Sequence, residues 1–390
     1  MNHHVTASSL ISNRIQTMNE YFFAQANKRI QAVVARGIDV INLGIGSPDL
    51  PPPPAVMTEL ARLAQDPAQY PYPSYTGLPS LRNSIKQWYE REYQVHVEAN
   101  NILPVSGSKE AIFFATLAFT NPDDYVLVPN PGYPTYAAAV QLVGAKVLEY
   151  NLTTKHNFLP DFETLNGLDL SKAKIMWINY PNNPTGATAT KDDLQSIIAF
   201  ARQHNLIIIS DNPYSHVTFD GYVAPSILEV ATADDLVIEI DSFSKTYNLA
   251  GVRLAWIVGH PELMTAIKTV YSNIETGIFT ALQRAGEVAL NTDKQWISER
   301  NKEYERRRNV ALDLCRTLGL TATSPLASLY VWAKLPTHTK SAVDFCFDLL
   351  ETKGIFITPG TAFGSQGEGF VRISLCQKSE IITAAIKRLS

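Results

Sequence analysis

Short apolar runs alternate with amphipathic helical stretches between residues 100 and 260, and this alternation constrains the fold more than any other feature. We predict strands at 125–128, 146–150, 174–179, 206–210, 236–240 and 253–258. Helical periodicity falls between them, for example over 109–119 and 191–204. Strands that alternate with helices form a mostly parallel sheet covered by helices on both faces. We therefore expect a three-layer α/β domain.

The pattern changes after about residue 280, where a long helical stretch (283–317) precedes short strands and further helices. The strands are expected at 329–334, 355–358 and 370–374, and the helices at 341–353 and 378–389. A length of 390 residues also favours two domains. We predict a large domain over 48–282 and a smaller α+β domain formed by 1–47 together with 283–390.

The charge balance and the termini exclude several classes of partner. With 33 basic and 37 acidic residues the formal charge is −4, which does not indicate binding to nucleic acid or to an anionic membrane. The N-terminus lacks the features of a signal peptide, and no apolar run is long enough to span a bilayer. Cys315, Cys346 and Cys376 lack metal-ligand spacing, so buried free thiols are expected. We expect a cytoplasmic enzyme without a bound metal.

Polar loops rich in glycine and proline follow four of the predicted strands. They are 129–133, 179–186, 210–214 and 241–245. Each loop alone could be a routine connection, but the carboxyl ends of parallel strands meet at one edge of a sheet. Ligands of open α/β sheets bind at that edge. We therefore expect one binding site built from all four loops.

The last of these loops contains Ser242, Ser244 and Lys245, and Arg253 follows eight residues later. The hydroxyls and the guanidinium suit a phosphate group. The lysine amine can form a Schiff base with a carbonyl group. Together these residues indicate a carbonyl cofactor that carries a phosphate, such as pyridoxal phosphate (PLP).

Residues of the other loops fit the same cofactor. A pyridine ring that withdraws electrons needs a carboxylate beside its protonated nitrogen, and Asp211 could supply it, although it could instead cap a helix. Asn183 and Tyr214 can donate to the phenolic oxygen of the ring, and Tyr133 can stack on its face. Residues 106–108 open a predicted helix whose N-terminus can bind the phosphate.

With these motifs the chain resembles the class I/II aminotransferases, the fold type I PLP enzymes related to aspartate aminotransferase. The resemblance runs from about residue 41 to the C-terminus and keeps the family's motif order and spacing. The motifs are Asn42-Leu-Gly-Ile-Gly46, Tyr72-Pro-Ser-Tyr-Thr-Gly77 with Leu81-Arg82, Ser106-Gly-Ser-Lys109, Pro131-Gly-Tyr133, Asn182-Asn-Pro-Thr-Gly186, Asp211-x-x-Tyr214, Ser242-x-Ser-Lys245 with Arg253, and Phe370-Val-Arg-Ile-Ser374. The resemblance implies amino transfer from an L-amino acid to a 2-oxo acid by a ping-pong mechanism.

The resemblance also implies a role for each matching residue. Lys245 would bind the cofactor as an aldimine and carry protons, with Asp211 and Tyr214 as the other catalytic residues. The residues implied in cofactor binding are Tyr72, Gly107, Ser108, Lys109, Tyr133, Asn183, Asp211, Tyr214, Ser242, Ser244, Lys245 and Arg253. Those implied in substrate binding are Gly46, Asn183 and Arg372. Because Tyr72 would reach the phosphate of the neighbouring subunit, a homodimer with shared active sites is implied.

Substrate choice is the least constrained part of the interpretation. Segment 269–279 has no arginine where some aspartate aminotransferases place one for a side-chain carboxylate, and Glu275 would repel such a group. Segments 42–52, 213–220 and 271–279 look like the alanine and LL-diaminopimelate aminotransferase branch. Glu275 could favour a distal ammonium, or it could simply be solvated. We expect a broad amino-acid aminotransferase.

Two other functions remain open. A PLP-dependent C–S β-lyase would use the same lysine, aspartate and arginines on the same scaffold. A non-catalytic PLP-binding regulator would carry a DNA-binding helical domain in front, whereas only about forty residues without a basic stripe precede the first motif.

Overall fold

The computed structural model describes residues 10–18 and 20–389, which form three sheets surrounded by helices. The strands of the large sheet, in spatial order, are Ile102–Val105, Ala255–Gly259, Val237–Ser242, Ile207–Asp211, Ala173–Ile178, Tyr125–Asn130 and Lys146–Asn151. Within this sheet, Ala255–Gly259 runs opposite to the other strands. The predicted three-layer α/β architecture with a mostly parallel sheet is therefore confirmed.

Helices lie on both faces of this sheet and continue through the C-terminal part. The α-helices described are Asn13–Gln16, Phe22–Ala35, Pro54–Ala64, Pro79–Tyr93, Ser108–Phe119, Thr135–Val143, Phe162–Asn166, Lys191–His204, Phe243–Thr246, Pro261–Ile274, Thr280–Leu290, Lys294–Thr317, Ala342–Lys353 and Ser379–Leu389. Two of these helices, Asn13–Gln16 and Phe22–Ala35, precede the first strand. The helix predicted over 283–317 is divided.

Strand residues alternate between the two helical layers. Val126 and Val128 pack with helix Ser108–Phe119, whereas Leu127, between them, packs with helix Lys191–His204 on the other face. Successive side chains of a strand point to opposite faces, so a strand covered on both sides needs an uninterrupted apolar run. This is why the runs in the sequence predicted buried parallel strands.

A second, antiparallel sheet lies in the C-terminal part of the chain. Its strands, in spatial order, are Thr358–Pro359, Phe370–Ser374, Tyr330–Lys334 and Thr321–Ala322. A separate two-stranded sheet connects the N-terminal and C-terminal parts of the chain, because strand Ile41–Asn42 pairs in parallel with strand Ile355–Phe356. The core beneath these strands includes Leu314 of the long helix Lys294–Thr317.

The helical stretch after residue 280 divides at residues 291–293. Asp293 caps the second helix by accepting a hydrogen bond from the Gln295 amide at 2.8 Å. The first helix, Thr280–Leu290, packs in a cluster with Leu81 and Trp256 of the large-sheet region. A boundary at residue 283 would cut through this packing, so we propose that the two domains divide at 291–293 instead.

Two general features bear on function. No helix within residues 10–18 and 20–389 is long and apolar enough to cross a membrane. Cys315, Cys346 and Cys376 are buried and unpaired, and burial raises the pKa of each thiol. The expectation of buried free thiols is confirmed.

Candidate active site

Loops at the carboxyl ends of the parallel strands converge on one cavity of about 520 Å³. Tyr330 and Arg372 of the antiparallel C-terminal sheet close this cavity from the other side. The predicted residues that line this cavity are Gly46, Ser108, Lys109, Tyr133, Asn183, Asp211, Tyr214, Ser242, Ser244, Lys245, Arg253 and Arg372. All four loops singled out in the sequence contribute to it. The cavity therefore gathers an amine, a carboxylate, hydroxyls and guanidinium groups at one sheet edge.

Lys245 reaches the cavity from a single helical turn, Phe243–Thr246, that directly follows strand Val237–Ser242. The Ser242 hydroxyl begins this turn by accepting a hydrogen bond from the Ser244 amide at 3.1 Å. The lysine Nζ donates to the Gly46 carbonyl at 2.7 Å. The amine therefore lies between the large sheet and the N-terminal segment that the sequence motifs predicted as part of the site.

Asp211 is the last residue of strand Ile207–Asp211 and does not cap a helix. Its Oδ2 accepts a hydrogen bond from Tyr136 at 2.7 Å, whereas its Oδ1 is buried without a partner. Burial raises the pKa of this carboxyl to about 6, although the Tyr136 hydroxyl and the charge of Lys245 oppose that shift. The free oxygen can therefore accept one more strong donor from the cavity.

Anion-binding groups surround one end of the cavity. Ser108 is the first residue of helix Ser108–Phe119, and a helix N-terminus favours a phosphate. The guanidinium of Arg253 lies so close to Gly107, which has φ +108°, that a Cβ there would overlap with Nη2. Arg253 Nη1 donates to the Ala250 carbonyl at 3.0 Å, which fixes the guanidinium beside the cavity.

Arg372 lies at the opposite end and is held on several sides. Nη1 donates to Asn183 Oδ1 at 2.9 Å, and Nη2 donates to the Gly44 carbonyl at 2.8 Å. The guanidinium carbon is 4.0 Å from the ring centre of Tyr330 and 4.5 Å from that of Phe363. The side chain is buried and its Nε has no hydrogen-bond partner. This fixed fork is suited to a carboxylate.

Hydrogen bonds connect the two ends of the cavity. Asn179 Nδ2 donates to the Asp211 carbonyl at 2.6 Å, and Asn179 Oδ1 accepts from the Asn183 amide at 2.7 Å. The hydroxyls of Tyr214 and Tyr330 lie 3.2 Å apart. Burial, together with the neighbouring Tyr330, raises the pKa of Tyr214. These contacts fix Asn183 and Tyr214 where each can donate a hydrogen bond to an anionic ring oxygen.

Several residues of the site were not predicted from the sequence. They are Tyr21, Phe23, Asn27, Tyr136, Asn179, Tyr330 and Phe363. Asn179 begins a loop already singled out, and Tyr136 lies three residues beyond Tyr133, so proximity in sequence could have indicated both. Phe23 comes from helix Phe22–Ala35 and no motif marks it.

Two predicted residues and Glu275 lie apart from the cavity lining. Gly107 borders it through its contact with Arg253. Tyr72 is 87% exposed and does not line the cavity of its own chain. Glu275 follows helix Pro261–Ile274, where its charge acts on Glu110, and it does not line the described cavity either.

The arrangement fits PLP. The unpartnered Oδ1 of Asp211 matches a protonated ring nitrogen, which is the donor that this cofactor would bring. The close approach of Arg253 to Gly107 would suit a phosphate there, with the hydroxyls of Ser108 and Ser244 on the same cavity. The amine of Lys245 can react with the aldehyde. When bound, the cofactor would supply a reactive carbonyl carbon and an electron-withdrawing ring.

Comparisons with known proteins agree with this geometry. The sequence profile described as Aminotransferase class I and II matches residues 38–389. The LL-diaminopimelate aminotransferase of Dehalococcoides mccartyi is 42% identical over 97% of this chain and 98% of its own. That of Gloeobacter violaceus is 38% identical over 96% of each chain.

Solved structures give the same result. Substrate-bound BacF from Bacillus subtilis has a TM-score of 0.92 and 34% identity, covering 97% of each chain. A mutant aspartate aminotransferase from Thermus thermophilus has a TM-score of 0.90 and 28% identity, covering 97% of this chain and 98% of its own. The named curated relatives are aminotransferases, which does not favour the C–S lyase alternative. The chain belongs to the class I and II aminotransferases and is a PLP-dependent aminotransferase.

Proposed function

We propose that this aminotransferase takes LL-diaminopimelate as its preferred amino donor and passes the amino group to a 2-oxo acid. The relatives with 38–42% identity carry that activity in their names. The observation that carries the proposal is a further cation in the cavity, because Lys109 lines it in addition to Lys245, Arg253 and Arg372. A donor with a carboxylate at each end can engage Arg372 at one end and Lys109 at the other.

Lys109 is placed to receive a ligand. Its ammonium lies 4.9 Å from the ring centre of Tyr21. Among the described residues it forms no ion pair with a carboxylate. Burial, and then the neighbouring Arg253, lower the pKa of this amine. A half-buried cation without a counter-ion gains free energy when an anion binds beside it, so a distal carboxylate is the ligand that we assign to Lys109. Lys109 would then serve the substrate rather than the cofactor.

The remaining residues have complementary roles in this proposal. The guanidinium of Arg372, with Asn183, holds the α-carboxylate of the amino acid. This contact points the α-carbon towards Lys245, whose Nζ accepts the α-proton and later returns a proton during transfer. Asp211 keeps the ring nitrogen protonated through its free Oδ1. Tyr214 donates to the phenolic oxygen.

A homodimer with shared active sites is also part of the proposal. Tyr70, Tyr72 and Tyr75 are 63%, 87% and 51% exposed. They are close in sequence and together form a patch of solvent-exposed aromatic surface. The Tyr70 ring lies 5.1 Å from that of Phe279, so this surface continues to the segment after Ile274, which is itself 52% exposed. A second copy of the chain would cover this surface and could bring Tyr72 to the phosphate end of the partner's cavity. We further propose a cytoplasmic location, which the free thiols favour.

A panel of donors with 2-oxoglutarate as acceptor tests the substrate. We expect LL-diaminopimelate to give the highest kcat/KM, above glutamate, aspartate and alanine. In Lys109→Met protein, kcat/KM for donors with a distal carboxylate should fall by about 10- to 100-fold, the value of one charge-assisted contact, while alanine is nearly unaffected.

Lys268→Met is the matched control, because burial also lowers the pKa of this lysine but it does not line the cavity. Preference for alanine in the original protein, or equal losses for alanine and LL-diaminopimelate in Lys109→Met, would refute the substrate assignment.

A further inference from the structure

Three arginines on the long helix Lys294–Thr317 are almost completely buried. Arg300, Arg307 and Arg308 are 5%, 1% and 4% exposed. Arg300 and Arg307 are seven residues apart, so they lie within about 20° of each other around the helix and about 10.5 Å apart along it. Burying a cation away from water costs free energy unless hydrogen-bond acceptors or opposite charges replace the water. The partners of these side chains are therefore informative.

Arg300 holds the turn that carries Lys245. Its Nη1 donates to the Lys245 carbonyl at 3.0 Å and also to the Thr246 carbonyl. These oxygens lie at the C-terminal end of the single turn Phe243–Thr246, where a helix leaves carbonyl groups without internal partners and favours a cation. The same guanidinium donates through Nη2 to the His216 carbonyl, just beyond the Asp211–Tyr214 loop.

The charge of Arg300 is not used for an ion pair. Within the part of the chain that the structure describes, no carboxylate lies within ion-pair distance of it, and burial lowers the pKa of this guanidinium to about 10. Its other hydrogen bond is to Asn301, whose Oδ1 is 2.7 Å from Nη2 and whose Nδ2 donates to the His216 carbonyl at 3.0 Å. The guanidinium carbon also lies 5.7 Å from the ring centre of Trp296. All of its hydrogen-bond acceptors are thus neutral oxygens, most of them backbone carbonyls of the Lys245 turn and of the segment after the Tyr214 loop.

Arg307 holds the opposite end of the site. Its Nη1 donates to the Leu375 carbonyl at 3.1 Å, directly after the strand Phe370–Ser374 that carries Arg372. The same nitrogen donates to Asp49 at 2.6 Å, three residues beyond Gly46, and Nε donates to Glu303 at 2.8 Å. This side chain therefore anchors two of the segments that surround the carboxylate end of the cavity.

We propose that helix Lys294–Thr317 sets the distance between the amine and the carboxylate fork of the active site, with Arg300 and Arg307 as its two positioning residues. Neither side chain lines the cavity, so each acts through the backbone segment that it holds. The inference rests on the roles proposed above for Lys245 and Arg372. Loss of Arg300 should misplace the amine, whereas loss of Arg307 should misplace the fork.

The two substitutions should therefore affect different kinetic constants. Arg300→Met should lower kcat at least about 10-fold with the amino-acid KM changed less than about threefold, whereas Arg307→Met should raise that KM about 10-fold with a smaller effect on kcat. Arg300→Lys and Arg307→Lys should recover part of each loss, because an ammonium keeps the charge but not the planar fork. The lysine variants also keep the test decisive if a methionine variant does not fold.

Arg308→Met is the matched control. Arg308 is similarly buried on the same helix, but it bonds to Asp220 and to the Pro325 carbonyl, and neither of these residues lines the cavity. It should cost stability without separating kcat from KM. Hydrogen exchange of the cofactor-free protein gives a second readout: Arg300→Met should speed exchange at 243–249, and Arg307→Met at 372–376.

Two outcomes would overturn the inference. One is that the Arg300 and Arg307 variants change kcat and KM in the same proportion as Arg308→Met. The other is that local exchange at the two segments does not distinguish them. Failure of the underlying site assignment would appear differently, because Lys245→Ala protein would then remain active whatever the arginine variants do.

Discussion

The hydroxyl of Tyr136 lies 2.7 Å from Oδ2 of Asp211 and leaves Oδ1 as the only unpartnered oxygen of that carboxyl. This contact fixes the orientation of the carboxylate and favours its charged form, against the burial that raises its pKa to about 6. Asp211 is therefore held ready for a donor on one side only, and Tyr136 sets how easily it loses its proton.

Tyr136→Phe should raise the pKa of Asp211 further. In the unfolded chain this carboxyl ionises near 3.8, whereas in the folded protein it ionises near 6, so stability falls as pH rises through that interval. Loss of the Tyr136 hydrogen bond, worth about 1.4 kcal/mol, should raise the pKa of Asp211 by about one unit. The decrease in stability should then continue to a pH about one unit higher. The free energy of unfolding of cofactor-free protein in urea, followed between about pH 4 and about pH 8, measures this.

Tyr150→Phe is the control for that measurement. Tyr150 is also buried and donates a 2.7 Å hydrogen bond, but to the Trp177 carbonyl. Its variant should lose stability equally at all pH values in this range. If the two variants have the same pH dependence, Tyr136 does not tune Asp211.

Replacing Lys245 should abolish the visible absorption band of its Schiff base with the cofactor and lower turnover at least about 100-fold, since both the Schiff base and the proton-carrying amine are lost. Lys245→Ala and Lys245→Arg should behave alike, because the arginine keeps a positive charge but is not nucleophilic. Spectra and steady-state rates at saturating cofactor test this. Substantial activity in either variant would remove Lys245 from the mechanism.

Arg372→Ala should raise the amino-acid KM roughly 100-fold, as expected for the loss of a bidentate contact with a carboxylate. The cofactor should remain bound, because Arg372 lies at the end of the cavity opposite Arg253 and the helix N-terminus at Ser108. Steady-state kinetics and the visible spectrum give the two readouts. An unchanged KM with loss of the cofactor spectrum would mean that the two ends of the cavity have been assigned in reverse.

Mixing Tyr72→Phe subunits with Lys245→Ala subunits tests the role of Tyr72 across the dimer. If Tyr72 serves the partner's site, a Tyr72→Phe subunit paired with a Lys245→Ala subunit has one site with both defects and one with neither. Random exchange at equal concentrations should then restore about a quarter of the original number of intact sites. If activity stays at the average of the two parents after exchange has been verified, Tyr72 does not act in the other subunit.

The sequence predicted the large sheet and the loops that meet at its edge because both depend on local patterns. An apolar run reports a covered strand, and the ends of parallel strands share an edge, so Lys245 and Asp211 could be placed together before any contact was known. Arg372 was different, since its bonds to Gly44 and Asn183 join residues far apart in sequence and only its role in substrate binding was implied by the resemblance. Phe23 has no such marker, because a helix that packs at a distance leaves no local trace of its neighbour.

The parallel pair formed by Ile41–Asn42 and Ile355–Phe356 constrains the order in which parts of the structure can form during synthesis. When synthesis has reached residue 260, Asp211, Lys245 and Arg253 are already part of the chain. Strand Ile355–Phe356 and Arg372 have not yet been synthesised. Residues 41–42 can form this pair only after residues 355–356 have been synthesised. Asp211, Lys245 and Arg253, which we assign to the cofactor, are thus synthesised well before Arg372, which we assign to the α-carboxylate of the substrate.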